Sequence, residues 1–300
     1  MRALTTALAL VVAALGSGCG PSHPPVAELE TEPARFDLAW PEFAELELTL
    51  RPIAKLPAAG IRPIVFVHLL DEPGSVLRTF DHELPGEWHV GRELSYRVRL
   101  YQSALSEPLA AGEYLLSLGV YHPEHGRFAL RTGAEEVADR EYRVAEVSVP
   151  PVSGSAPRAR FSEHWLPPEV GVDRQVLVRR HLRGDATGKI QFGPLTGAGT
   201  LALSFLIPHD LGAGSRLELL DGLGQPKVRV ANDCGAEEAE ATGVGRFDVD
   251  LDVPSGNSSR TCEVSVQPNF RLTTSQRAES SSVRLDVVAW RPGSRERAPD

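Results

Sequence analysis

Apolar residues in this chain recur at every second position rather than at every third or fourth. Leu46, Leu48 and Leu50 alternate with Glu45, Glu47 and Thr49. Successive side chains of an extended chain point to opposite faces, so this pattern buries one face and wets the other. The run 64–70 is rich in β-branched residues and stops at Asp71-Glu72-Pro73-Gly74, a turn signal. Residues 76–80 return as its hairpin partner. The segments 94–101 and 113–121 read the same way. The turn His122-Pro123-Glu124-His125-Gly126 then leads into 127–130, and 142–149 closes the first block. In the second half the expected strands are 175–178, 188–192, 200–207, 216–220, 227–230, 247–253, 262–267 and 283–290. No apolar stripe is sustained at helical spacing.

Many short strands between frequent turns imply an all-β protein. Three hundred residues are enough for two cores. The expectation is two tandem β-sandwiches, immunoglobulin-like or jelly-roll-like, over 35–149 and 161–291. Residues 150–160 combine prolines with small polar residues and form a semi-extended linker that few contacts should cross. The charged tail 292–300 is expected to be disordered. The net charge of −9 disfavours nucleic acid as a partner, because phosphate binding needs a basic surface.

Residues 1–18 read as a targeting segment: Arg2, then an apolar run from Leu4 to Leu15 too short to span a bilayer. Leu15-Gly16-Ser17-Gly18-Cys19 resembles the lipobox of bacterial lipoproteins. Leu15 sits four places before the cysteine, where the lipobox usually has it three before. The resemblance implies cleavage before Cys19 and acylation of its thiol and amine. Residues 19–34 would then be a tether. Several acyl chains together hold a protein stably at a membrane. By resemblance to enterobacterial lipoprotein sorting, Gly20 in place of an aspartate after the cysteine implies the outer membrane. Cys234 and Cys262 remain, and two cysteines in an exported chain read as a disulfide.

The first block carries Phe66-Val67-His68-Leu69-Leu70-Asp71, Gly74, Asp81-His82, Trp88, Gly91, Ala111-Gly112-Glu113-Tyr114 and Gly119-Val120-Tyr121-His122-Pro123. The second opens with Phe161-Ser162-Glu163-His164-Trp165-Leu166-Pro167-Pro168-Glu169. These runs resemble the extracytoplasmic β-sandwich modules of some prokaryotic glycosyltransferases of the protein-mannosyltransferase superfamily. The transferase part, with its membrane helices and acidic motif, has no counterpart here. The resemblance therefore implies a fold and a setting near glycan chemistry, and no transferase activity.

His68, His82, His89, His122 and His125 cluster in the first block, but without zinc, EF-hand or HExxH spacing. No metal and no cofactor are expected. GxSxG and SxxK are also absent, so no catalytic residue is assigned. Glu135-Glu136, Glu237-Glu238, Arg179-Arg180 and the Arg158, Arg160 pair read as solvated surface charge. Aromatic faces stack on sugars, and Trp88, Tyr101, Tyr121, Trp165 and Trp290 are the aromatic candidates. Trp88 and Trp165 lie in turn-like contexts and are the candidate glycan contacts, although packing under a loop is the commoner role. The first expectation is a non-enzymatic envelope lipoprotein that binds a glycan or an envelope protein. A purely structural scaffold is the second, and an exported hydrolase without a recognisable motif is the third.

Overall fold

A computed structural model describes residues 24–293, apart from 58–59, 61, 73, 172–173, 175–176, 209–213, 223, 236–237, 257 and 275–279. The expected signal peptide, Cys19, the start of the tether and residues 294–300 lie outside the described residues. Among the described residues there is no helix, and all regular structure is β.

The first sandwich contains β1 (Ala27–Glu32), β2 (Arg35–Asp37), β3 (Phe43–Pro52), β4 (Ile64–Leu70), β5 (Val76–Thr79), β6 (His82–Glu83), β7 (Leu94–Tyr101), β8 (Gly112–His122), β9 (Gly126–Phe128), β10 (Leu130–Arg131), β11 (Glu136–Ala138) and β12 (Glu141–Val149). One sheet runs β10-β1-β3-β7. The other runs β11-β12-β8-β4-β5, with β2, β6 and β9 beside it. Leu46, Leu48 and Leu50 of β3 meet Val65, Val67, Leu69, Leu116, Leu118 and Val120 from the second sheet in one core. The alternation read from the sequence is thus the packing pattern. One correction concerns the tether. Ala27–Glu32 was expected within it, yet pairs along its whole length with β3 and buries Ala27 and Leu29.

The second sandwich contains β13 (Arg158–Phe161), β14 (Glu169–Val170), β15 (Val178–Arg183), β16 (Gly188–Leu195), β17 (Gly199–Ile207), β18 (Ser215–Leu219), β19 (Lys227–Asn232), β20 (Glu238–Thr242), β21 (Gly245–Val253), β22 (Arg260–Pro268), β23 (Phe270–Thr274) and β24 (Ser281–Pro292). Its sheets run β13-β16-β22-β19-β20 and β14-β15-β24-β17-β21, the latter extended by β18 and β23. Ile190, Phe192, Val230 and Val264 of the first face Leu203, Phe205, Leu251 and Leu285 of the second. Two expectations shift here. Of the strand predicted at 175–178, residues 175–176 lie outside the described residues and β15 opens at Val178, and the end of the predicted linker is already β13.

Few contacts were expected between the sandwiches, and the structure overturns this. β15 covers one edge of β24 only over its first half. Loops of the first sandwich take up the rest. The Ala104 amide donates to the Val288 carbonyl at 2.7 Å, and the Trp290 amide donates to the Pro41 carbonyl at 2.8 Å. The Val288 amide donates to Ser103 Oγ at 3.2 Å. Phe43 packs with Ala202, Val287 and Ala289 beneath these bonds. Arg99 and Arg291 stack on Phe43, and Arg99 also clamps Asp250 with two bonds of 2.9 Å. Backbone groups on an uncovered strand edge need partners, and the first sandwich supplies them.

The outer face of the β4–β8 pair is also built tightly. Phe66 lies directly across from Gly119. A Cβ at position 119 would overlap the Phe66 ring and sit 2.5 Å from the Arg140 carbonyl. Arg127 stacks on Phe66 at 4.6 Å and the His68 ring lies 4.8 Å from it, so the ring is confined. Gly119→Ala is therefore expected to cost about 1–3 kcal/mol through overpacking, measured as a lower urea midpoint with an unchanged slope.

Candidate functional site

Two depressions adjoin on the first sandwich. One, of about 630 Å³, lies where the edges β6 and β7 approach the face of the second sandwich formed by β17, β21 and β24. Its walls include Asp81, His82, Tyr96, Arg97, Tyr101 and Arg246. The other, of about 1060 Å³, lies around Trp88, Lys55, Arg62 and His89. Glu83 and Pro85 line both, so the two form one track.

In the interdomain part, the backbone places an aromatic and a histidine side by side. His82 Nδ1 faces the Phe80 carbonyl at 2.9 Å, and its Nε2 faces Tyr96 Oη at 2.9 Å. A carbonyl only accepts, so Nδ1 carries the proton and Nε2 accepts from the tyrosine hydroxyl. Burial lowers the His82 pKa and raises that of Tyr96, so both stay uncharged. Tyr101, half-buried at the sandwich junction, is pushed up to about 12, chiefly by desolvation. Each guanidinium group of the walls is matched by a carboxylate, and four wall carboxylates stand against three arginines. Arg97 lies 3.7 Å from Glu45, Arg99 pairs with Asp250, and Arg246 lies 3.2 Å from Asp286. The surface offered to a ligand is thus aromatic and polar with little net charge.

At the other end, Trp88 is half-buried and donates its Nε1 hydrogen to the Ala54 carbonyl at 3.0 Å. That bond fixes the ring while leaving it at the lip of the depression. His89 pairs with Glu87 at 2.7 Å, and Val90 beside it is exposed.

The other predicted residues fall elsewhere. Trp165 is only 4% exposed, packed edge-on to Phe161 and sealed under Gly188. Its ring face is closed to a sugar, which removes it as a glycan contact. Trp290 is likewise buried, and Tyr121 lies beside Phe66. The five histidines do not converge. His68 lies between Glu141 and Asp81, at 3.1 and 3.8 Å, while His122 and His125 share a turn far along β8. Of the paired charges, Glu135 meets Arg143, Glu238 meets Arg229 and Arg179 meets Glu169. Glu237 lies outside the described residues. Arg180 stacks on Phe161 and Arg158 on Trp40. Cys234 and Cys262 form a disulfide.

Sequence reasoning missed Tyr96 and His82 as a pair. Tyr96 falls inside a regular alternation, and its partner stands on a two-residue strand that no periodicity reveals.

No known protein family matches the chain, and no curated protein matches it. Among solved structures, the chain is similar to a mutant of Salmonella alpha-2-macroglobulin at 13% identity and a TM-score of 0.24, covering 94% of this chain and 16% of that one. It is also similar to a structure named pT26-6p at 8% identity and a TM-score of 0.21, covering 82% of this chain and 65% of that one. The chain thus spans less than two thirds of the length of either.

Proposed function

We propose that this chain is an exported, lipid-anchored binding protein of the cell envelope, carrying out no reaction of its own. Its ligand is a hydroxyl-rich, weakly charged polymer of the glycan class, lying along the track from Trp88 to Tyr96. The observation that carries this reading is the continuity of the two depressions through Glu83 and Pro85, with an aromatic ring at each end. Extended polymers suit a continuous track, and aromatic faces with a few placed polar groups give orientation. Walls whose charges are internally paired favour a neutral ligand over an anionic one.

The arrangement nearest to a hydrolytic trio supports binding rather than reaction. Ser117 Oγ lies 2.5 Å from Glu141, which also holds His68. Ser117 has no exposed surface, so its hydroxyl cannot reach a substrate. The main-chain union of the two sandwiches favours a second reading, a rigid spacer held off the membrane.

A glycan array followed by titration calorimetry separates the two. Trp88→Ala and Arg97→Ala alter opposite ends of the track, and each is expected to weaken binding about tenfold or more. Arg97 is largely exposed, so its loss leaves the fold intact. No binding by the wild-type protein across neutral glycans, or binding by both variants as tight as by the wild type, would leave the spacer reading.

A further inference from the structure

The hairpin joining β8 to β9 is specified residue by residue. The His125 amide donates to the His122 carbonyl at 3.1 Å, and His122 pairs with Gly126. Pro123 holds the second place, where its fixed φ fits, and Gly126 takes a φ of +73°. This is the pattern of a type I turn closed by a left-handed glycine. The turn carries His122, Glu124 and His125 on one short loop. Their ligating atoms all lie within 4.8 Å of one another, and the two imidazole rings are 5.1 Å apart. Ligands sharing a tetrahedral metal at ordinary bond lengths are separated by about 3.3 Å. Glu124 and His125 are exposed and free to rotate by that margin.

We propose that this turn is a binding site for a first-row transition metal ion, zinc or copper in the divalent state. Two imidazoles and one carboxylate match those ions, whereas calcium and magnesium take oxygen ligands throughout. Three protein ligands leave at least one position for water or a ligand from elsewhere. His122 Nδ1 accepts a hydrogen bond from the Glu124 amide at 3.2 Å, so Nε2 is the metal-binding nitrogen. Binding there moves the imidazole proton from Nε2 to Nδ1, with no net release. The imidazole then rotates so that Nδ1–H and the Glu124 amide, no longer paired with each other, both face water, a small cost at an exposed turn. The other histidines of this sandwich are already engaged: His68 by Glu141, His82 by Tyr96 and His89 by Glu87. The three side chains at Asp233, Cys234 and Cys262 also lie together, but the disulfide occupies both sulfurs.

Titration calorimetry of the full chain with zinc chloride and copper chloride tests the site, with magnesium and calcium chloride as controls. Zinc or copper should bind, and His125→Ala and Glu124→Gln should each weaken binding by at least about tenfold. The metal-free melting temperature of both variants should match the wild type, because both side chains are exposed. Electron paramagnetic resonance of the copper-loaded chain should show nitrogen splitting that the His122→Ala, His125→Ala double variant loses. Failure of the wild-type chain to take up either ion, equal affinity in His125→Ala, or equally tight uptake of calcium would overturn the proposal.

Discussion

Replacing Cys234 and Cys262 together by serine is expected to lower the unfolding free energy by about 3.5 kcal/mol, the chain-entropy value for a loop of this length. The bridge spans a sequence separation of 28, with Cα atoms 5.4 Å apart. Its position follows from the ladder. β19 and β22 pair antiparallel, with Val230 opposite Val266 and Asn232 opposite Val264. Two residues further, the same register sets Cys234 opposite Cys262. The chain between them leaves the ladder for β20 on its edge, crosses to the facing sheet as β21, and returns as β22. The strand at 247–253, which lies between the cysteines in sequence, pairs with β17 across the core. The disulfide therefore closes a loop that wraps both layers. Asn232 Oδ1 accepts the amides of Cys234 and Gly235 at 2.8 and 2.6 Å, holding the turn for the bridge. Urea unfolding followed by tryptophan fluorescence, to which Trp165 and Trp290 of the second core contribute beside Trp40 and Trp88, measures the loss. A difference under about 1 kcal/mol would mean that the unfolded chain already holds this loop closed.

How much of this was legible varies with the kind of signal. β3 could be read because Leu46 to Leu50 alternate large apolar with polar groups, and period two has one structural meaning, while β4 could be read because its β-branched apolar run ends at a turn signal. β20 could not, because Glu238–Thr242 sets only alanines against acidic and threonine side chains, and its place comes from main-chain pairing with β19. β1 was hidden for the same reason, with Leu29 its one large apolar residue among glutamates and threonine. The junction left no trace at all. Phe43, Val287 and Ala289 read as ordinary strand residues, and the bonds from Pro41, Ser103 and Ala104 to β24 depend mostly on backbone atoms. The two tryptophans show the limit for the site. Both stand in turn-like sequence, yet Gly188 lets Trp165 sink into the core while Trp88 stays at a lip.

Glu141→Gln is expected to cost roughly 3 kcal/mol near neutral pH and progressively less in acid. Glu141 opens β12 and is 6% exposed. Its carboxylate faces His68 Nδ1 at 3.1 Å, accepts from Ser117 Oγ at 2.5 Å and lies 3.2 Å from Arg127. The hydrogen bond with His68 is the largest cause, and with Ser117 and the charge of Arg127 it outweighs burial. Together they hold Glu141 down to about 2. A carboxylate in the unfolded chain titrates near 4.3. Because the folded value is the lower one, this group contributes stability that is fully present above about pH 5 and lost as pH falls toward about 2. Asp81, on the far side of His68, is shifted the opposite way, since burial raises it. Its protonation relieves a cost as pH falls and so flattens the acid limb of the wild type. The glutamine variant keeps Asp81 and its burial, the largest cause of its shift, and removes only the smaller part that the Glu141 charge adds, so the difference reports chiefly on Glu141. Unfolding free energies of wild type and variant, measured from pH 7 to pH 2, should converge at the acid end. A gap of constant size would show that Glu141 acts through the shape of its packing and not through its charge.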